Sequence, residues 1–245
     1  MTCPPPAELS SLTLLGFGDC GWGATLLWGF GNSLMIALGA YAIGFCIGVS
    51  GAFGKLYGGP VAKDLLAVYT TIVRAVPELV LILILYYAVP GLVNELLISL
   101  GYDRIDLPQF LTGVIVLAFV QGAYQTEVLR GAILAVPQGQ IEAARAMGMS
   151  PIQVARRVIF PLMTANAVPG LGNLWLNATK DTALLAVIGF SELTKATFQA
   201  SATTKAFFTF YPAAMALYLL ISLTSIYAFS RIEKWSRKGQ RSMLG

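Results

Sequence analysis

The chain has 245 residues and a formal net charge of +4 at pH 7. Hydrophobic residues make up 56% of it and charged residues 11%, with a mean hydropathy of +0.71, whereas a soluble domain carries about 25% charged residues. This composition excludes an ordinary soluble enzyme, because so few charged side chains cannot cover a surface that faces water.

The chain also lacks the residues that usually hold metals. It contains no histidine, which removes the commonest metal ligand and the commonest general base. Its three cysteines, Cys3, Cys20 and Cys46, are too scattered for a metal or redox motif. We expect no metal site, and we expect the thiol of Cys46 to be buried.

Five long apolar segments organise the chain. A membrane-spanning helix needs about 20 mostly apolar residues. Runs with few or no charges predict spans over 24–52, 65–90, 109–134, 160–182 and 207–230. The predicted fold is therefore an all-α integral membrane protein with five transmembrane helices.

Lysine and arginine residues predict the orientation, because they concentrate on the cytoplasmic side of a membrane. With the N-terminus outside, the inner segments hold eleven of these residues and the outer segments three. The inner positions are Lys55, Lys63, Arg130, Arg145, Arg156, Arg157, Arg231, Lys234, Arg237, Lys238 and Arg241, and the outer positions are Arg104, Lys195 and Lys205. We predict the N-terminus outside and the C-terminus inside. Charges sorted in this way do not indicate a nucleic-acid surface.

A stripe of small residues runs along the first predicted span at a spacing of four: Ala40, Gly44, Gly48 and Ala52. Such a stripe lets two helix backbones approach closely in lipid. The pattern is compatible with packing inside the chain and with packing against a partner.

The segment 138–161, between the third and fourth predicted spans, differs from the rest of the chain. An alanine-rich stretch predicts a short helix over 141–147, which Gly148 ends by taking a left-handed conformation. Ser150 then caps a second short helix with Pro151 in its first turn. A solvated connector would explain the arginines of this segment but not its small-residue face.

The residues of this segment resemble the EAA loop of ABC importer permeases. Glu142, Ala143, Ala144, Gly148 and Pro161 match that pattern, whereas valine and phenylalanine occupy the two positions, 158 and 160, where isoleucine and leucine are usual. The resemblance implies that these five residues dock on a cytoplasmic ATPase and couple its closure to the membrane helices.

Further segments resemble the polar amino-acid, histidine-permease-like branch of that family. They are Arg74–Glu78, Ala123–Glu127 with Arg130–Ala132, and Lys180–Leu184 followed by Glu192 and Leu193. The resemblance implies a multi-pass protein of the cell inner membrane with a second homologous permease subunit, two ATP-binding cassette subunits and a periplasmic binding protein as partners.

The chain carries no phosphate-binding loop of its own. Its one Gly-Lys pair, Gly54-Lys55, has Val49 and Leu56 where a P-loop needs a glycine and a serine or threonine. We therefore expect that the chain is not an enzyme, that it holds no cofactor, and that ATP and Mg²⁺ bind to the partner ATPase.

Charged residues inside predicted spans are candidate functional groups, because each costs about 2.5–3.5 kcal/mol on insertion scales. Arg74 and Glu78 are four residues apart, on one helix face, and Pro77 precedes Glu78. Proline frees a backbone carbonyl one turn back, and such broken helices are used where the backbone lines a cavity. Arg74 is then interpreted as structural, near the inner boundary, and Glu78 as facing a translocation path. The alternative is an Arg74–Glu78 ion pair that only makes insertion tolerable.

A second polar group ends the fourth predicted span, with Asp181 flanked by Asn177, Lys180 and Thr182. An aspartate with amide and hydroxyl neighbours can hold an amino group or a cationic side chain. We predict a substrate site formed by Glu78, Asp181, Asn177 and Thr182. The alternative is a self-paired loop at the outer boundary of the membrane. Glu127 and Arg130 are interpreted as scaffolding.

The resulting hypothesis is a permease subunit that receives solute from a binding protein and passes it inward by alternating access. The acidic Glu78 indicates basic amino acids (histidine, arginine, lysine, ornithine) or opines. An ATP-independent secondary transporter or channel is the alternative. The predicted division is an external segment over 1–21, the transmembrane domain over 22–235 and a basic cytoplasmic tail over 236–245.

Overall fold

The computed structural model describes residues 10–237, and that part of the chain is helical without a β-strand. The predicted segments 1–21 and 236–245 therefore lie partly outside the described residues. In chain order the helices are α1 (Ser11–Leu15), α2 (Gly23–Tyr57), α3 (Pro60–Ala75), α4 (Glu78–Ser99), α5 (Gln109–Leu134), α6 (Gln138–Ala146), α7 (Pro151–Val154), α8 (Phe160–Asp181), α9 (Leu193–Thr204) and α10 (Phe207–Ser236). A π-helical turn (Ala155–Ile159) joins α7 to α8, and a 3₁₀ helix (Thr182–Ile188) follows α8.

Three of the described helices are long and apolar enough to cross a membrane: α2, α4 and α10. Helices α5 and α8 also have the length of a span, and α8 is the more polar of the two. Helix α5 lies at the centre of the bundle and packs against α2, α3, α4 and α8. Much of its surface therefore contacts protein, and this surface does not need to be apolar.

The small-residue stripe of α2 packs within the chain, against α5. All four of its members are buried. A Cβ on Gly48 would lie 2.7 Å from Cβ of Gln125, and a Cβ on Gly44 would lie 3.1 Å from Cβ of Gln121. The close approach of the two helices depends on these glycines. Cys46 points away from α5 and is exposed, so the expectation of a buried thiol is wrong.

The second predicted span, 65–90, is not one helix. Val76 is extended, with φ −88° and ψ 139°, which separates α3 from α4. Two properties of Pro77 explain the break: its ring disfavours the α conformation in the preceding residue, and it has no N–H to donate. The prediction that Arg74 and Glu78 share one helix face is therefore wrong, because Arg74 lies in the last turn of α3 and Glu78 begins α4.

The segment that resembles the EAA loop contains the predicted sharp turn. Helix α6 ends before Gly148, which has φ +77°, and Ser150 caps α7 in a reciprocal capping box with Gln153. The second helix of the loop is not separate, however, because α7 continues through the π-helical turn into α8. Pro161 provides no N–H for the regular hydrogen-bond ladder at this point, which explains the π-helical turn before it.

A buried carboxylate joins α9 to two other helices. Glu192 is 0% exposed and caps α9 by accepting hydrogen bonds from the backbone N–H groups of Thr194 and Lys195, both at 2.8 Å. Ser33 of α2 and Tyr218 of α10 also donate to it, each at 3.2 Å. The charge is thus satisfied by four donors, as a buried carboxylate requires.

Candidate functional site

A polar cluster lies beside the middle of α5. Gln121, halfway along that helix, is 1% exposed, and its Nε2 donates a hydrogen bond to Oδ2 of Asp181 at 3.0 Å. Asp181 is the last residue of α8. The hydrogen bond therefore sets the end of α8 at the level of the centre of α5, rather than at the end of the bundle.

The break between α3 and α4 adds a second carboxylate to this cluster. Glu78, the first residue of α4, interacts with both Asp181 and the hydroxyl of Tyr124. Tyr124 lies one helical turn after Gln121 on α5. Two acidic groups, an amide and a phenol thus come together from three helices inside an apolar bundle.

Two buried acceptors in this region have no donor. In residues 10–237, Oε1 of Gln121 and Oε1 of Gln125 are the buried side-chain atoms without a hydrogen-bond partner. The amide nitrogen of Gln125 donates to the backbone carbonyl of Tyr41 at 3.3 Å, which leaves its oxygen free. Unpaired buried acceptors cost about 1–3 kcal/mol each, so they suit a site that receives hydrogen-bond donors from a bound molecule.

The four residues of the predicted substrate site do not all lie together. Glu78 and Asp181 meet, as described. Asn177 is exposed one turn before Asp181 on α8. Thr182 is 0% exposed, and its hydroxyl donates to the carbonyl of Thr179 at 2.9 Å; it points into the protein because the helix tightens to 3₁₀ geometry after Asp181.

The prediction of the site missed Gln121, Tyr124 and Gln125. Their segment was singled out only by its resemblance to the permease branch. A signal was present, since two amides and a phenol at a spacing of three to four residues share one face of an otherwise apolar helix. They carry no formal charge, so a search for charges within spans does not find them.

Two cations flank the carboxylates without pairing with them. Arg74 and Lys180 are exposed, and neither forms an ion pair with any described residue. The described residues 10–237 thus contain neither an Arg74–Glu78 nor a Lys180–Asp181 ion pair, the two alternatives raised by the sequence. The helix break explains the first result, because the two residues now belong to different helices.

Glu127 and Arg130 belong to a separate polar cluster further along α5. Glu127 pairs with Lys55 of α2 at 2.5 Å and with Arg130 at 2.8 Å. Lys55 also donates to the hydroxyl of Thr70 on α3 at 2.8 Å. These contacts link α2, α3 and α5, in agreement with the interpretation of Glu127 and Arg130 as scaffolding.

The loop 138–161 presents an apolar surface. Ala144 is 5% exposed and packs towards α7 and the π-helical turn, whereas Glu142, Ala143, Gly148 and Pro161 are exposed. Three large apolar side chains around them are strongly exposed: Met147 at 79%, Ile152 at 78% and Phe160 at 62%. An apolar patch of this kind on a protruding loop is typical of a protein–protein contact.

Comparison with known proteins identifies the family. The model of the family described as "Binding-protein-dependent transport system inner membrane component" matches residues 43–238, which is most of the chain. The chain belongs to this family. It is a permease subunit of an ABC importer, and ATP hydrolysis belongs to a separate subunit. Both statements confirm the predictions made from the loop.

Individual relatives cover nearly the whole chain. The nopaline transport system permease protein NocQ of Agrobacterium fabrum is 41% identical over 233 residues, 94% of this chain and 99% of that protein. The histidine/lysine/arginine/ornithine transport system permease protein HisQ of Salmonella typhimurium is 39% identical over 205 residues, 84% of this chain and 90% of that protein. A crystal structure of an amino acid ABC transporter with histidines contains a chain with TM-score 0.77 and 29% identity, over 93% of this chain and 99% of that one.

Proposed function

We propose that this permease subunit carries a basic amino acid or an opine across the cell inner membrane by alternating access. The observation that carries the proposal is the pair of carboxylates, Glu78 and Asp181, held with Gln121 beside the middle of α5. A positively charged solute supplies the hydrogen-bond donors that two carboxylates and an unpaired amide oxygen lack. The named solutes of the relatives NocQ and HisQ support this chemical class.

The proposed membrane arrangement has five crossings, with the N-terminus outside and the C-terminus inside. The crossings are α2, the broken pair α3–α4, α5, α8 and α10. Broken helices are used in transporters where the freed backbone lines a cavity, and the break at Pro77 lies next to the proposed solute site. The excess of lysine and arginine on one side supports the orientation. The transmembrane domain is taken as 22–235, between an external segment 1–21 and a basic tail 236–245.

The proposed assembly pairs this chain with a second, homologous permease subunit above two ATP-binding cassette subunits that hold ATP and Mg²⁺. A periplasmic binding protein delivers the solute. The loop 138–161 docks on one ATPase subunit, with Glu142, Ala143, Ala144, Gly148 and Pro161 as its coupling residues. Its exposed apolar side chains support this role, because they need a partner to cover them.

The solute site is tested with the complete transporter in proteoliposomes. We expect Glu78→Gln and Asp181→Asn each to raise the solute concentration that half-stimulates ATP hydrolysis about tenfold or more, since each removes a charge-assisted hydrogen bond. Asn177→Ala and Thr182→Ala test the two flanking members. Glu95→Gln, in the exposed part of α4, is the matched control. An unchanged half-stimulating concentration in both acidic variants would contradict the site.

The coupling loop is tested by Gly148→Asp. At its φ of +77° a side chain is strained, and we expect the added carboxylate to change the turn that presents α6. We expect the variant chain to insert into the membrane and to bind solute, but solute should no longer stimulate ATP hydrolysis by the ATPase subunits. Gly139→Asp adds the same charge at the start of α6, where a Cβ meets nothing within 4 Å, and should leave coupling intact. Normal ATP-driven transport by Gly148→Asp, or uptake driven by an ion gradient without any ATPase, would refute the docking role.

A further inference from the structure

The exposed face of α8 is polar along its length. After Phe160, the exposed residues of this helix are Pro161, Asn166, Asn173, Asn177 and Lys180. The exposed faces of α2, α4 and α10 instead carry rows of large apolar side chains. Hydrocarbon cannot form hydrogen bonds with amides, so a helix surface that faces lipid is apolar. The exposed face of α8 is therefore not suited to contact lipid.

The three asparagines of this face, Asn166, Asn173 and Asn177, are here called the asparagine row. Their side chains form no hydrogen bond within residues 10–237. The other two asparagines of the chain, Asn32 and Asn94, both donate to backbone carbonyls. At spacings of seven and four residues, the members of the row lie on one side of the helix and extend over about 16 Å. Three amides on one face thus lack partners together.

The asparagine row connects the proposed solute site with the opposite end of α8. Asp181, which accepts the hydrogen bond from Gln121 at 3.0 Å, lies one turn beyond Asn177. In the other direction the row leads towards Phe160 and the loop 138–161. The proposed membrane arrangement places this loop in the cytoplasm. The row therefore runs from the proposed solute site towards the inner surface.

Towards the outside, the proposed solute site is closed by apolar side chains. Leu117 lies one turn before Gln121 on α5, in the outward direction of the proposed arrangement. Leu185 lies four residues after Asp181, in the same direction. Both are 0% exposed, as is Ile82 of α4, and all three belong to one packed apolar cluster. A polar solute passes this cluster only if its members separate, so the open direction is along α8.

Two observations favour water over a docked helix as the cover of this face. Asn173 lines a cleft of about 200 Å³ between α8 and α10, together with the polar residues Ser230 and Glu233 near the inner end of α10. Lys180, at the outer end of the face, forms no ion pair within residues 10–237. A helix packed against Lys180 would bury an unpaired charge, which is costly, whereas water keeps this charge solvated.

We propose that the asparagine row lines the path by which the solute leaves its site for the cytoplasm. A side-chain amide both donates and accepts, so each member of the row bonds to the carboxylate or to the amino groups of an amino acid as it passes. These bonds are weaker than those to the charged Asp181, and several weak sites in succession allow a solute to move on. The inference goes beyond the proposed function, on which it rests for the kind of solute.

The first test measures the reaction of introduced cysteines with a charged, membrane-impermeant methanethiosulfonate reagent. It uses the complete transporter in inside-out membrane vesicles, with Cys46 replaced by serine. We expect Asn166→Cys and Asn173→Cys to react about tenfold or more faster than Leu223→Cys, because the reactive thiolate forms only where water is present. Leu223 is the control, since it is 56% exposed on the apolar face of α10. Equal rates at the three positions would overturn the proposal. So would slow reaction at position 173 combined with capture of the second permease subunit by a photoreactive side chain there, which would indicate a docked helix.

The second test measures solute uptake into proteoliposomes. Asn173→Leu should lower the uptake rate about tenfold, the factor expected for one lost hydrogen bond. The solute concentration that half-stimulates ATP hydrolysis should change less than about twofold, because binding takes place at Asp181. Asn173→Ser, which keeps a hydrogen-bonding group, should retain most of the rate. Thr224→Leu, a change of the same kind among the exposed apolar residues of α10, is the control and should have no effect.

The results separate this inference from the proposed function. Normal uptake by both Asn166→Leu and Asn173→Leu would overturn the inference and leave the proposed function standing. A wild type that no basic amino acid or opine stimulates would contradict the proposed function. In that case the reaction rates of the introduced cysteines still decide whether the asparagine row faces water.

Discussion

The contact between α2 and α5 gives a prediction whose size follows from one distance. A Cβ added at Gly48 would lie 2.7 Å from Cβ of Gln125, 3.1 Å from its carbonyl carbon and 3.2 Å from the backbone nitrogen of Thr126. Ordinary contact between carbon atoms begins at about 3.5 Å. Since the obstructing atoms belong to the backbone or are bonded to it, rotation of a side chain cannot relieve the clash, and the two helices must separate.

The expected change in the free energy of unfolding for Gly48→Ala is the difference between two effects. Overpacking of a tight contact costs about 1–3 kcal/mol, whereas alanine in place of glycine inside a helix gains up to about 1 kcal/mol. The balance is about 1–2 kcal/mol of destabilisation. For a chain of this length each kcal/mol corresponds to about 2–4 °C, so we expect the melting midpoint to fall by about 2–8 °C.

The assay is thermal denaturation of the detergent-purified full-length chain, followed by the loss of its monodisperse peak in size-exclusion chromatography. Gly31→Ala is the control on the same helix, because a Cβ there meets nothing within 4 Å; its midpoint should stay constant or rise. If Gly48→Ala melts at the same temperature as Gly31→Ala, the reasoning from close approach is refuted.

Two further predictions use the same assay. Glu192→Gln should lower the melting midpoint by the equivalent of about 2 kcal/mol, since it weakens four hydrogen bonds to a buried carboxylate. The control is Glu233→Gln, which removes an exposed i,i+4 ion pair with Arg237 and should change stability by less than about 0.5 kcal/mol. Equal effects of the two variants would contradict the capping role of Glu192. Glu127→Gln should lower the free energy of unfolding by about 1.5–3 kcal/mol, because it removes the charged acceptor shared by Lys55 and Arg130. Glu95→Gln is the control, and an equal melting midpoint for the two variants would show that the link between α2, α3 and α5 is dispensable.

Most of the helix positions could be predicted from the sequence, because long apolar runs in a membrane protein form helices almost without exception. The predicted spans over 109–134 and 160–182 differ from α5 and α8 by one residue at most. The segment over 65–90 consists of two helices, because apolar content gives the length of a crossing but not its continuity. Pro77 indicates the break, since its ring disfavours the α conformation in the residue before it.

The site was predicted in part, for a related reason. The sequence offers Glu78 and Asp181 as candidates because charged residues stand out in apolar runs. Their position beside Gln121 depends on how α4, α5 and α8 pack, and Thr182 faces the protein interior because the change to 3₁₀ geometry after Asp181 alters which side chains share a face. Neither effect has a periodic signature in the sequence.

The distribution of polar groups over the helices ties the fold to transport. Hydropathy identifies α2, α4 and α10 as spans, and these helices expose long rows of apolar side chains. The long helices that it omits, α5 and α8, are those that bring Gln121, Tyr124 and Asp181 together. A helix enclosed by other helices is free to carry polar groups, and only such groups can replace the water that a charged solute loses on entering the membrane. The enclosure that lets α5 and α8 carry these polar groups is thus the same arrangement that makes them suitable to line a path.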